Sequence, residues 1–96
     1  MSVAMIVRMQ AAEGQAGALK ALLVQGRDAS RNAEGCESFE IYQSQDARTQ
    51  FVLVQRWSST EAHQSNFDAN IKGSGHLAKI SQLLAKPIER GVFNVV

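Results

Sequence analysis

A chain of 96 residues is near the lower size limit at which one hydrophobic core sustains a fold, so residues 1–96 should form a single domain. Ten basic residues against nine acidic ones leave a net charge of +1, and the basic residues are spread along the chain, so no nucleic-acid partner is expected. No segment resembles a membrane span or a signal peptide, and a single cysteine, Cys36, argues against a disulfide or a zinc knot, so we expect a cytoplasmic protein without membrane contact.

The first third of the chain shows the period of a strand and then that of a helix. Apolar residues occupy every second position of residues 3–10, which predicts a strand. From about residue 15 to residue 32, apolar residues recur every three or four positions, which predicts an amphipathic helix. Gly35 is expected to close this helix as its C-cap.

The middle of the chain predicts a hairpin followed by a short helix. Residues 37–44 and 50–57 alternate as strands do, and the polar segment 45–48 is expected to connect them. Ser58 and Glu61 have the spacing of a capping box, which predicts a helix over about residues 59–69.

The last third is expected to contain a second helical segment and a final strand. Gly73 and Gly75 should interrupt the helical run. A further segment with apolar residues on one face continues to Lys86, where Pro87 should stop it. Residues 92–96 are expected to form the last strand.

The resulting order, β-α-β-β-α-α-β, predicts an α+β fold of the ferredoxin-like split βαβ type, with a four-stranded antiparallel sheet and its helices on one face. Because the strands carry apolar residues on both faces, something must cover the second face. The simplest cover is a second copy, which would give a homodimer built as a dimeric α+β barrel. A cavity between sheet and helices is expected in each protomer.

Three segments carry a family resemblance: residues 35–42 (GCESFEIY), 51–57 (FVLVQRW) and 59–62 (STEA). Together they resemble the antibiotic biosynthesis monooxygenase domain family, small dimeric barrels that include quinol monooxygenases and anthrone oxygenases. The resemblance implies a monooxygenase. Because the chain contains no phosphate loop, no dinucleotide fingerprint and no metal triad, we expect such an enzyme to need no cofactor and no metal. Its partners would be a small aromatic molecule, quinol-like or anthrone-like, and dioxygen.

The chain departs from the family pattern at three polar positions. Gln55 stands where many members have glutamate, and Asn66 and Asn70 stand where members often have histidine. Because an amide does not accept a proton near neutral pH, a mechanism that needs an imidazole at those places is unavailable to this chain. Members of the anthrone type use asparagine and tryptophan as polar anchors, so Asn66 with Trp57 is compatible with that branch.

The resemblance leaves other functions open. His76 stands where haem-degrading members have their iron-binding histidine, which makes a haem-degrading monooxygenase one alternative. The amides at positions 55, 66 and 70 would also suit a non-catalytic small-ligand-binding or stress-response barrel. A small isomerase or signal-processing enzyme on the same scaffold is a third alternative.

The candidate site residues follow from this interpretation. For catalysis we expect Trp57 as a pocket wall, Asn66 as a hydrogen-bond donor and His76, carried by the Gly-Ser-Gly segment before it, as an acid or base. The alternative place for Trp57 is the core or its rim, and the alternative for His76 is the N-terminus of the last helix. His63 is expected to be a surface residue. The residues expected to bind substrate are Tyr42, Arg8, Gln55 and Asn70. The alternative for Tyr42 and Arg8 is a polar network at the dimer interface, and the alternative for Asn70 is a place in solvent.

Overall fold

The computed structural model describes all 96 residues of the chain. Four strands and three α-helices follow one another, with one π-helical segment between the second and third helices. In chain order they are β1 (Val3–Gln10), α1 (Ala16–Arg31), β2 (Cys36–Gln43), β3 (Gln50–Trp57), α2 (Thr60–Asn66), the π-helical segment (Phe67–Lys72), α3 (His76–Ser81) and β4 (Glu89–Asn94).

The strands form one antiparallel sheet in the order β2-β3-β1-β4. The first strand lies inside the sheet, with Val7 opposite Leu53 of β3 on one side and Arg90 of β4 on the other. Strand β3 separates β1 from β2, so helix α1 links two strands that are not neighbours. This is the split βαβ arrangement, and the predicted ferredoxin-like α+β fold is confirmed.

The core lies between the helices and one face of the sheet, here called the inner face. Alternate residues of β1, beginning with Val3, are buried on this face. Leu19 and Leu23 of α1 pack onto the same cluster of 12 buried apolar residues, which also contains the fully buried Phe51 and Trp57. The period of two in the strands and of 3.6 in α1 therefore bring these apolar residues together.

The opposite face of the sheet, here called the outer face, carries no helix. Ile6 and Val54 lie opposite each other at its centre and are half-buried. Tyr42 and Phe93 are large exposed residues on the flanking strands. The sheet therefore has apolar residues on both faces, as expected.

Two predicted boundaries near the helices are corrected by the structure. The cap of α2 is Ser59, whose backbone is extended and whose Oγ accepts a hydrogen bond from the Ala62 N–H at 3.1 Å. Ser58, the expected cap, instead donates its N–H to the Gly35 carbonyl. Gly35 lies beyond the end of α1 with φ of +86°, and a Cβ there would approach that of Ala62 to 2.6 Å, so it shapes the entry to β2.

The end of the chain also differs from the expectation. Helix α3 ends at Ser81 rather than Lys86. The next residues bond to the end of β1: the Ala12 N–H donates to the Leu83 carbonyl, and the Ala85 N–H to the Gln10 carbonyl, both at 2.8 Å. Strand β4 consequently begins at Glu89, three residues earlier than expected. None of the helices combines the length and the apolar character that a membrane crossing needs.

Candidate functional site

A cavity of about 320 Å³ lies between the inner face of the sheet and the helices. Of its 18 lining residues, 11 are hydrophobic. A largely apolar pocket with a few converging polar groups is the usual form of a small-molecule site. The polar residues of the lining are Ser30, Gln55, His63, Asn66, His76 and Arg90. Since no aspartate or glutamate is among the lining residues, the side chains of the pocket contribute no negative charge.

Asn66 lies in this pocket, where the sequence predicted a hydrogen-bond donor. Its Nδ2 donates to Ser30 Oγ at 3.0 Å, and its Oδ1 accepts from Asn70 Nδ2 at 2.7 Å. Asn66 is only 6% exposed and Ser30 is fully buried. Because an asparagine Nδ2 carries two hydrogens, one remains for a bound molecule. Asn70 orients Asn66 through this hydrogen bond but does not itself line the pocket. It is therefore not placed to make the contact with a bound molecule that the sequence had predicted.

Trp57 is fully buried and does not line the pocket, so of its two expected places the structure shows the core and not the pocket wall. It lies behind Gln55, and its Nε1 donates to Gln55 Oε1 at 3.0 Å. The two residues are two apart on β3 and point to the inner face together. Gln55 does line the pocket. Trp57 therefore affects the site by orienting Gln55 and not by contact with a bound molecule.

His63 is the main residue that the sequence interpretation placed wrongly. It is buried, with 6% of its surface exposed. Its ring packs edge-on against Trp57, with the ring centroids 5.6 Å apart, and stacks on Phe67, with the ring centroids 6.2 Å apart. The ring makes no hydrogen bond with the protein. Since every fully enclosed side-chain nitrogen does have a hydrogen-bond partner, the nitrogens of His63 are not fully enclosed. An imidazole nitrogen therefore remains accessible within the pocket that His63 lines.

The sequence held one clue to His63. Its spacing of three residues from Asn66 places both side chains on the same face of a helix. With Ser59 as the cap, that face turns toward the sheet, and both residues are buried. The spacing does not say which face of the helix packs on the sheet, because that depends on the tertiary structure.

Burial lowers the pKa of His63 below the ordinary value of 6.5, and the positive charge of Arg90 lowers it further. Both effects disfavour the imidazolium ion. His63 is consequently neutral near pH 7, and one of its ring nitrogens then has a lone pair that can accept a proton.

This lowered pKa predicts a loss of stability in acid. Between about pH 6.5 and the lower pKa of the folded state, the unfolded chain protonates His63 while the folded chain does not, so the free energy of unfolding should fall as the pH falls, by no more than about 1.4 kcal/mol per pH unit from this group. Above the unfolded-state pKa the contribution is constant. Urea unfolding at about pH 7.5 and about pH 5.5 measures the change. The His63→Gln variant should show a smaller decrease, and an identical decrease in both proteins would contradict the assignment.

His76 also lines the pocket, and one of its nitrogens is already engaged. Its Nε2 lies 2.7 Å from the Leu22 carbonyl oxygen. Because a carbonyl only accepts, Nε2 carries the proton, and a neutral ring has its lone pair on Nδ1. A Cβ on Gly26 would come within 3.1 Å of Nε2, so glycine at that position leaves room for this contact. His76 joins the start of α3 to α1, and its predicted role as an acid or base is restricted to Nδ1.

Arg8 and Tyr42 lie outside the pocket, on the outer face. Both are exposed and belong to the same row of the sheet, since each is paired with Val52. The sheet separates them from the cavity. Their predicted contact with a substrate in this pocket is therefore wrong, while their alternative place at a dimer interface stays a prediction.

Arg90 and Ser30 are pocket residues that the sequence interpretation did not single out. Arg90 is paired with Val7 on the inner side of β4, is exposed at the pocket, and belongs to none of the ion pairs of the chain. The expected strand 92–96 left Arg90 outside the sheet, which is why it was missed. Ser30 was missed because nothing in the sequence sets it apart from other helical serines.

Comparison with known proteins gives a family and a set of similar structures. The model of the family described as "Antibiotic biosynthesis monooxygenase" matches residues 2–68. A search of curated proteins found no significant match. Rv0793 from Mycobacterium tuberculosis is similar in structure with a TM-score of 0.89 and 27% identity, over 100% of this chain and 96% of that one.

Two more distant structures share the fold. A candidate antibiotic biosynthesis monooxygenase from Nitrosomonas europaea has a TM-score of 0.92 at 18% identity, covering 99% of this chain and 90% of its own. A variant of SnoaB, described as a cofactor-independent oxygenase from Streptomyces nogalater, has a TM-score of 0.84 at 15% identity, covering 98% and 92%. At these identities the likeness concerns the fold.

Proposed function

This chain belongs to the antibiotic biosynthesis monooxygenase family, and from that premise we propose that it oxidises a small quinol-like or anthrone-like molecule with dioxygen, without a cofactor. The observation that carries the proposal is the buried imidazole of His63, unpaired and neutral, facing an apolar cavity beside oriented amides. A relative of the same fold is described as a cofactor-independent oxygenase, which supports this type of chemistry.

The proposed reaction begins with proton transfer. His63 takes a proton from a ring hydroxyl or an activated ring methylene, leaving an electron-rich phenolate or enolate. This anion transfers one electron to dioxygen, and the two radicals combine to form a carbon–oxygen bond. The protonated His63 returns its proton to the peroxide anion. For a methylene substrate, the resulting hydroperoxide loses water and leaves a carbonyl. One oxygen atom enters the product, the other leaves as water, and the methylene carbon supplies the four electrons.

The other pocket residues bind the substrate and exclude water. Phe39 and Leu53 on the sheet and Phe67 on the helical side offer flat and apolar surface to an aromatic ring. Asn66 is held by two hydrogen bonds and presents its remaining N–H without further reorganisation. A water-poor site also protects the radical pair from side reactions.

Oxygen consumption with a panel of anthrones and hydroquinones tests the proposal. The expected result is a rate that rises in proportion to protein concentration after autoxidation is subtracted. Molecules that bind to the pocket without any such rate would instead favour the non-catalytic ligand-binding barrel. No contact in the structure favours haem degradation, because the His76 Nε2 is hydrogen-bonded to the Leu22 carbonyl.

We also propose that two copies form a homodimer through their outer faces. Support comes from the apolar centre of that face, formed by Ile6 and Val54, and from the exposed aromatic rings beside it. Contiguous exposed apolar surface is a usual mark of an interface.

Changing Val54 to aspartate tests the homodimer. The wild type should sediment at twice the chain mass of 10.5 kDa, and the variant at the mass of one chain, because a carboxylate at the centre of an apolar interface is left without a partner. Lys20→Asp, on the exposed side of α1, is the control and should remain dimeric. A wild type that is monomeric at micromolar concentration would overturn the proposal.

A further inference from the structure

Gln55 has an orientation that its neighbour determines. The indole nitrogen of Trp57 can only donate a hydrogen bond, so the atom of Gln55 that lies 3.0 Å from it must be the oxygen Oε1. The amide NH₂ of Gln55 therefore points away from Trp57. Because Trp57 is fully buried, it has little freedom to release this contact.

The amide NH₂ of Gln55 has no partner within the protein. Gln55 is 5% exposed, and its Nε2 makes no hydrogen bond with another group of the chain. Every fully enclosed side-chain nitrogen or oxygen has a hydrogen-bond partner. Because Nε2 of Gln55 has none, it must border open space. Gln55 lines the cavity, and the cavity is the open space next to it. An oriented and unpartnered donor thus faces the ligand site.

The surroundings of this donor favour a negatively charged oxygen. The charged or titratable residues of the lining are His63, His76 and Arg90, with no carboxylate among them. Arg90 acts on this region strongly enough to lower the pKa of His63. His63 packs against the Trp57 ring, while Gln55 accepts from the nitrogen of that same ring. The candidate proton acceptor and the oriented donor are therefore held by one buried side chain.

We infer that the Gln55 amide is the oxyanion donor of this pocket, that Trp57 is its positioning residue, and that the site prefers aromatic hydroxyl compounds in their deprotonated form. This inference rests on the proposed function, because it names what stabilises the anion that His63 generates. A donor fixed in advance at the developing negative charge stabilises it without reorganisation at the moment of reaction. The ligand class is an aryl or enol oxygen that loses its proton on binding.

The ionisation of a bound chromophoric phenol tests this directly. 4-Nitrophenol and a nitronaphthol absorb differently as phenol and phenolate, so titration at saturating protein gives the pKa of the bound molecule. The wild type should lower that pKa by about one unit, equivalent to about tenfold tighter binding of the phenolate than of the phenol.

Two variants of Gln55 should remove this preference. Gln55→Glu has the same shape but offers no amide hydrogens and adds a negative charge, so the pKa of the bound probe should rise above that of the free probe. Gln55→Met removes the donor without adding charge and should return the pKa close to the free value. Gln50→Glu makes the same chemical change at an exposed position of the same strand and should behave as the wild type.

Trp57→Phe tests the positioning role. It retains an aromatic ring but removes the N–H, so the Gln55 amide is free to turn, and more than half of the wild-type shift should be lost. A purely structural role for Trp57 would leave the pKa of the bound probe unchanged in the folded variant.

The outcomes separate this inference from the proposed function, because the titration involves no oxidation. A lowered pKa of the bound probe without oxygen consumption would support the oxyanion site and contradict the proposed oxygenase activity. An unshifted pKa in the wild type, a Gln55→Glu protein that behaves as the wild type, or no binding of either probe would overturn the inference.

Discussion

Replacing His63 by glutamine is expected to lower protein-dependent oxygen consumption by about 10²–10⁴-fold, the range typical for the loss of a general base. Glutamine is similar in length and polar, but it does not accept a proton near neutral pH. The phenolate or enolate would then form only through water, which the apolar lining largely excludes. Initial rates with the best substrate of the panel, corrected for autoxidation, measure the effect.

The pH dependence gives this prediction a signature of its own. Since burial and Arg90 lower the pKa of His63, kcat/KM of the wild type should stay on a plateau down to below pH 6.5 and then fall in acid. The glutamine variant should lack that inflection. Gln64→Ala, at the neighbouring exposed position of α2, is the control and should keep both rate and profile. A His63→Gln protein with more than about a tenth of the wild-type rate would contradict general-base catalysis by His63.

Replacing Trp57 by alanine is expected to lower the free energy of unfolding by about 3–5 kcal/mol, the usual effect of truncating a large buried aromatic residue. Trp57 has no exposed surface, so the change leaves a cavity beside His63 and Gln55. The oxygen of Gln55 also loses its donor, which adds to the loss. Since the free energy of unfolding of small domains is about 5–15 kcal/mol, this change removes a large share of it.

Urea unfolding measures this loss, and Trp57→Phe is the matched variant. Phenylalanine fills most of the space and should lose less than half as much stability as alanine. The slope of free energy against urea concentration should stay unchanged, which shows that the same surface is exposed on unfolding. A loss below about 1 kcal/mol for alanine would mean that Trp57 is not part of the core.

The strands were the most predictable part of the fold. Residues 3–10 and 50–57 were expected as strands and are observed with those bounds, because a period of two with apolar residues is a strong local signal. The last strand was placed three residues too late, because its first residues, Glu89 and Arg90, are charged. They pair with β1 through their backbones, and that pairing does not depend on their side chains.

The candidate site was predicted in part. Asn66 and Gln55 were named from the family resemblance and lie in the pocket, while Trp57 lies directly behind it. Arg8 and Tyr42 were named from their place on the strands opposite the core side, and that place is what keeps them out of the pocket. His63 was set aside because a lone histidine on a short helix is usually exposed.

The sequence by itself determined the elements and the faces that each strand and helix turns to the core, since these follow from periods of two and 3.6 along the chain. Only the tertiary structure decided which polar groups share the pocket and how they are oriented. His63 lies beside Trp57, and the charge of Arg90 lowers the pKa of His63. The indole of Trp57 orients Gln55 on the same side of the sheet. Such contacts depend on how the elements pack in three dimensions, which has no period along the chain.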